Sequence, residues 1–93
     1  MDPIRFTGQI RYWNPEKASG LSVVDVPPAL IERLGGLKQQ RVRGTLGGAD
    51  VTSNVMPAGG GRLAVSVSKA MCVAAGVAVG DDADFEITAV GRE

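Results

Sequence analysis

The sequence predicts a mostly β single domain with two short helices, closing as a small barrel from two pseudo-repeated strand-helix-strand units. Three observations predict it. The first stretch, Ile4 to Tyr12, alternates apolar and polar residues with the period of a half-buried strand. Arg62 to Thr88 then reads as a strand, a short helix stopped by Gly76, a Gly80-Asp81 turn and a second strand. Finally, Leu21 to Leu46 repeats that plan: an offset of 41 places Val24 on Val65, Val26 on Val67, Leu30 on Met71 and Gly35 on Gly76.

Length sets the scale. A chain of 93 residues buries roughly 60 to 65% of its unfolded surface, enough for one modest core, so residues 1–93 are expected to form a single domain. With 44% hydrophobic and 22% charged residues the composition is globular, and Val, Leu, Ile and Ala must fill the core because aromatics are few.

Each element has a local reason. In the first strand Ile4, Phe6, Gly8, Ile10 and Tyr12 face inward, while Arg5, Thr7, Gln9 and Arg11 face solvent. Trp13 closes it, either packed at the end of the core or marking a binding surface, and Asn14 to Gly20 carry turn chemistry. Leu21 to Val26 is β-branched and strand-like until Pro27-Pro28 interrupts the sheet ladder. Ala29 to Leu34 is expected as a two-turn helix with Leu30, Ile31 and Leu34 on one side, ended by Gly35-Gly36.

The next strand, Lys38 to Leu46, should turn Val42, Gly44 and Leu46 inward and Arg41, Arg43 and Thr45 outward. A turn over Gly47 to Asp50 and a strand over Val51 to Met56 complete a hairpin, and Pro57 to Gly61 forms the following loop. Arg62 to Val67 follows as a strand. Ser68 offers a side-chain oxygen to cap the second helix.

The pattern Phe6-x-Gly8-x-Ile10, Val24-x-Val26-Pro27, Val42-Arg43-Gly44-Thr45-Leu46-Gly47-Gly48, Met56-Pro57, and Lys69-Ala70 through Gly76 to Gly80-Asp81 resembles a family of small bacterial and archaeal domains of unknown function. That family is sometimes found beside domains of the bacteriocin-protection, OmpD-associated type. The resemblance implies a double-split β-barrel, distantly similar to the AbrB and MazE barrels, with two units completing one barrel in a single chain. It brings no catalytic residues. Met71-Cys72-Val73 stands where that helix often has a basic residue, and Asp82-Ala83-Asp84 makes the last turn more acidic.

Composition narrows the function. Net charge is zero, which disfavours an electrostatic search for nucleic acid or anionic membrane. Residues 1–46 nevertheless carry seven Lys and Arg against four Asp and Glu, and residues 47–93 three against six. The candidate contact residues lie on the basic half: Arg5, Arg11, Arg41 and Arg43, which could cluster if the first and third strands share a barrel wall, with Trp13 nearby.

Catalytic and cofactor chemistry finds little support. There is no histidine, so Ser-His-Asp and Cys-His pairs cannot be built, and Cys72 among Ala70, Met71, Val73 and Ala74 reads as a small buried hydrophobe. Gly59-Gly60-Gly61-Arg62 leads into a strand, where a phosphate loop would lead into a helix. Asp81, Asp82, Asp84 and Glu86 lack calcium-loop spacing and read as a solvated strand face.

We therefore expect a non-enzymatic, cofactor-free binding or interaction module, monomeric or homodimeric. The alternative is an AbrB-like nucleic-acid binder using the outward arginines. One cysteine, an N-terminus without a signal-peptide pattern and no run approaching about 20 apolar residues point to a cytoplasmic protein with no membrane partner.

Overall fold

The computed structural model describes residues 3–14 and 21–90; most of the turn expected over Asn14 to Gly20 lies outside them. Six strands close a barrel: β1 (Ile4–Tyr12), β2 (Ser22–Asp25), β3 (Gln40–Leu46), β4 (Ala49–Gly59), β5 (Arg62–Val67) and β6 (Asp82–Ala89). Around the barrel the order is β1-β2-β5-β4-β3-β6, and every pairing is antiparallel. One helix, α1 (Lys69–Ala75), links β5 to β6.

Two strands change partner midway. The first part of β1, Ile4 to Gln9, pairs with β6, and Ile10 to Tyr12 pair with β2. Likewise β4 pairs with β3 from Ala49 to Val55 and with β5 from Val55 onward. A strand that passes from one neighbour to the next bends the sheet sharply, which is how six strands enclose so narrow a core. Gly44 is one place where that bend requires glycine: a Cβ there would stand 1.8 Å from the Glu86 carbonyl oxygen of β6.

The alternation read in β1 and β6 sorts their residues as expected. Ile4, Phe6, Ile10, Phe85 and Ile87 are buried, while Arg5, Thr7, Gln9 and Asp84 are exposed. Phe6 stands opposite Phe85 in register, and their rings stack at 5.4 Å. Val24, Val42, Leu46, Val55, Leu63 and Val65 complete the centre, and no described polar or charged residue is buried with them. The interior is therefore packed hydrocarbon.

The connections depart from expectation in three places, the first being the turn expected over Gly47 to Asp50, which contracts to Gly47-Gly48 because Ala49 and Asp50 already pair with Leu46 and Thr45. Ala29 to Leu34 does not form a two-turn α-helix; two 3-10 turns, Pro28–Leu30 and Glu32–Leu34, replace it. Neither turn has a side-chain cap, and Pro27-Pro28 contributes no N–H, so the short segment closes through tighter bonds such as Leu30 N–H to the Pro27 carbonyl. The Pro57 to Gly61 loop is also shorter than expected. β4 continues to Gly59 through an irregularity after Pro57, a position that tolerates a residue without an N–H, and the turn contracts to Gly60-Gly61.

The capping chemistry is as read. Ser68 Oγ accepts from the Met71 N–H at 3.1 Å, and the Met71 sulfur accepts from the Ser68 N–H at 3.4 Å, a thioether in the place usually held by Glu or Gln. Both connections end on a left-handed glycine with the same bonds. Gly76 N–H reaches the Val73 carbonyl and Val77 N–H the Cys72 carbonyl; Gly35 N–H reaches the Glu32 carbonyl and Gly36 N–H the Ile31 carbonyl.

Candidate functional site

The outward arginines do not converge. β6 lies between β1 and β3, and its solvent-facing row is Asp82, Asp84 and Glu86. Glu86 stands opposite Arg5 on one side and Thr45 on the other, and its carboxylate pairs with Arg5 at 3.2 Å. Thr7 donates to Asp84 at 2.6 Å. An acidic stripe thus separates the two arginine pairs, an arrangement hidden from sequence because strand order is a long-range property.

Arg11 is engaged on the opposite side of β1. Its Nε and Nη2 donate to the two carboxylate oxygens of Asp25, each at 2.8 Å, and Nη1 donates to the Tyr12 carbonyl at 3.2 Å. Val23, opposite Arg11 in register, is fully buried although it belongs to the outward row, and the ion pair crosses over it. The Arg11 bond holds the Asp25 carboxyl below its ordinary range, with partial burial opposing and the Arg62 charge adding to the effect. The same bond raises the Arg11 guanidinium. Arg11 is a structural clamp.

Arg41 and Arg43 remain. They are exposed on β3 opposite Asn54 and Thr52, with Thr88 beside Arg43, and neither makes an ion pair among the described residues. Arg43, Asp50, Thr52 and Thr88 line a shallow open recess of about 510 Å³.

A different feature gathers the apolar surface. At the end of the barrel where β1 and β5 finish, α1 and the turn after it leave an open groove of about 570 Å³. Half-buried Tyr12 at the end of the inward row of β1, and the edge of core residue Val67 on β5, form its floor. Leu21, Cys72, Val77 and Val79 add to its walls, and Lys69 and Val73 of α1 complete the helical side. Leu21 and Val73 are among the most exposed large hydrophobic residues described, Val73 at 74%.

The Trp13 backbone N–H donates to the carbonyl of Leu21, one of the groove residues, at 2.7 Å, and Trp13 is 38% exposed. Cys72 is only half-buried, where full burial was expected. Burial pushes its thiol up, with the Asp81 charge adding to the effect, so at neutral pH it is protonated and a poor nucleophile.

The groove was legible in part. Ala70-Met71-Cys72-Val73-Ala74 is apolar around the whole circumference of a helix, yet a helix on the outside of a small barrel can bury only one face. Met71 takes the buried side, and Val73 is left to solvent. That surplus of apolar faces was the available signal.

The geometry defines a class: a small closed β-barrel with a packed interior and an apolar groove outside it. The sequence carries a more particular match. Residues 6–87 fit the model of DUF1905, a domain of unknown function, and the chain belongs to that family. No curated protein and no solved structure matches it.

Proposed function

We propose that this domain is a non-catalytic binding module that works through the apolar groove at the α1 end of the barrel. The observation that carries this reading is the gathering of exposed Leu21 and Val73 around a concave apolar surface that lies against the edge of the core. An interior without buried acids, bases or hydroxyls among the described residues, and a protonated Cys72, give catalysis little to work with. The free cysteine is in keeping with a cytoplasmic setting.

The barrel itself we read as an internal duplication of the double-split type. The registers support it: Val24 faces Val65 and Thr45 faces Glu86, each pair related by the offset of 41. Exchanging β1 with β4, β2 with β5 and β3 with β6 returns the same cyclic order. A chain that completes both halves of such a barrel has no need of a second copy, and light scattering on the eluted protein should return a monomer mass.

Nile red, a neutral apolar dye, tests the binding reading. It should brighten with the wild-type domain and much less with Val73→Asp, a change at a solvent-exposed position that leaves the melting temperature intact. No brightening, or equal brightening, would sink the proposal. The alternative, nucleic-acid binding through Arg41 and Arg43, rests on their lack of ion pairs among the described residues. It would require duplex or single-stranded DNA binding at low salt that weakens as salt rises and disappears in Arg41→Ala/Arg43→Ala.

A further inference from the structure

Resting on the binding reading, we infer that the groove takes a small monoanionic apolar acid, a carboxylate on a compact hydrocarbon body. The hydrocarbon lies along Val73, Val77 and Val79, and the carboxylate meets the Lys69 ammonium. The choice of occupant follows from charge, shape and an internal control within the chain.

Charge comes first. Among the described residues lining the groove, Lys69 is the one that is charged. It forms no ion pair among the described residues. Asp81, whose field reaches Cys72, accepts from the Ala78 N–H at 2.9 Å and does not line the groove. A cation at the edge of an apolar wall complements an anion attached to an apolar body. Lysine presents one compact charge, suited to a single carboxylate, where bidentate recognition would call for the arginine fork.

Shape favours a small molecule over a peptide. About 570 Å³ falls within the range of small-ligand clefts. A peptide binding as an added strand needs a free sheet edge, but the barrel is closed. A peptide binding as a helix needs a long apolar groove, and α1 spans only seven residues.

The internal control is the other connection. Val73 and Glu32 hold the same place in two similar left-handed glycine stops, accepting from Gly76 and Gly35 respectively, though the first ends an α-helix and the second a 3-10 turn. Glu32 is exposed, as an outward position of this fold allows. Valine at position 73 is therefore not demanded by the cap or the barrel, and Lys69 similarly stands where the sequence offset places Pro28. The two residues that define the inferred ligand are the ones the architecture leaves free.

Isothermal titration calorimetry with octanoate, 1-octanol and octylammonium tests the inference. Octanoate should bind saturably, about five-fold tighter than octanol, with octylammonium weakest, as one partly exposed ion pair allows. Lys69→Gln should remove the preference for octanoate while octanol binding stays unchanged. Equal affinity for acid and alcohol, unaltered octanoate binding in Lys69→Gln, or displacement of octanoate by an amidated apolar peptide at lower concentration would each overturn the inference. Nile red binding without preference for the acid defeats this inference and leaves the binding reading standing; loss of both probes defeats both.

Discussion

The two ends of the barrel are closed by segments with similar glycine stops and different outcomes. β2 and β5 run antiparallel, so the connections that follow them lie at opposite ends. After β2, two 3-10 turns bring Leu34 to 2% exposure, with Leu30 and Ile31 packed against the core. After β5, α1 buries Met71 but leaves Val73 in solvent and Cys72, Val77 and Val79 lining a groove. The first end is sealed apart from Leu37, exposed at 51% just past its stop, and the second presents a surface. The same glycine stop closes both, so the difference lies in what precedes it: a proline pair without a cap in one segment, and a capping serine before a helix that is apolar all round in the other.

Substitutions at matched positions can break this comparison. Leu34→Ala should have the largest effect, about 3 kcal/mol from the cavity and lost burial, read by chemical denaturation. If it is tolerated, the 3-10 end is not the sealed one. Gly35→Ala and Gly76→Ala should each cost about 1 to 2 kcal/mol, because both glycines are left-handed, at φ 88° and 71°. Closely similar losses would support equivalent stops, and a large inequality would not.

The cap distinguishes the ends more finely. Ser68→Ala should lower stability by about 1 kcal/mol through loss of the bond to the Met71 N–H, and the 3-10 end has no side-chain cap to lose. Reduced helical circular dichroism before global melting would mark α1 as the segment affected.

The smallest effect should come from the clamp on β1 and β2. Asp25 is held below its ordinary value of about 3.9, so its stabilisation is present above that pH and is lost as pH falls through the lower folded value. Both partners are partly exposed, so the pair contributes about 0.5 kcal/mol. Asp25→Asn should be slightly less stable than wild type at pH 7 and converge with it in acid, in contrast to Leu34→Ala, whose deficit should persist at both pH values.

Much of the fold was legible because its signals are local. The period of two in Ile4 to Tyr12 and in Asp82 to Ala89 sorts inside from outside without reference to any other strand. Ser68 and Gly76 mark the ends of α1 through bonds that span only a few residues. Even the first connection was misread only in type: its stop at Gly35 stands, but the expected α-helix gives way to 3-10 turns where prolines supply no donors.

The candidate site was far less legible, because it depends on which strands become neighbours. Arg5, Arg11, Arg41 and Arg43 all face outward as their spacing indicates, yet β6 inserts an acidic row between the two pairs, and Asp25 and Glu86 occupy two of the four. The groove combines Tyr12, Leu21, Val67 and Val73, residues up to 61 positions apart that meet only when the barrel closes. By itself the sequence determined the strands, the stops, the cap and the surplus of apolar faces on α1, since hydrogen bonding and side-chain period act over a few residues. Only the tertiary structure decided where that surplus would lie, because barrel closure pairs distant strands and so selects which apolar side chains find partners and which remain at the surface.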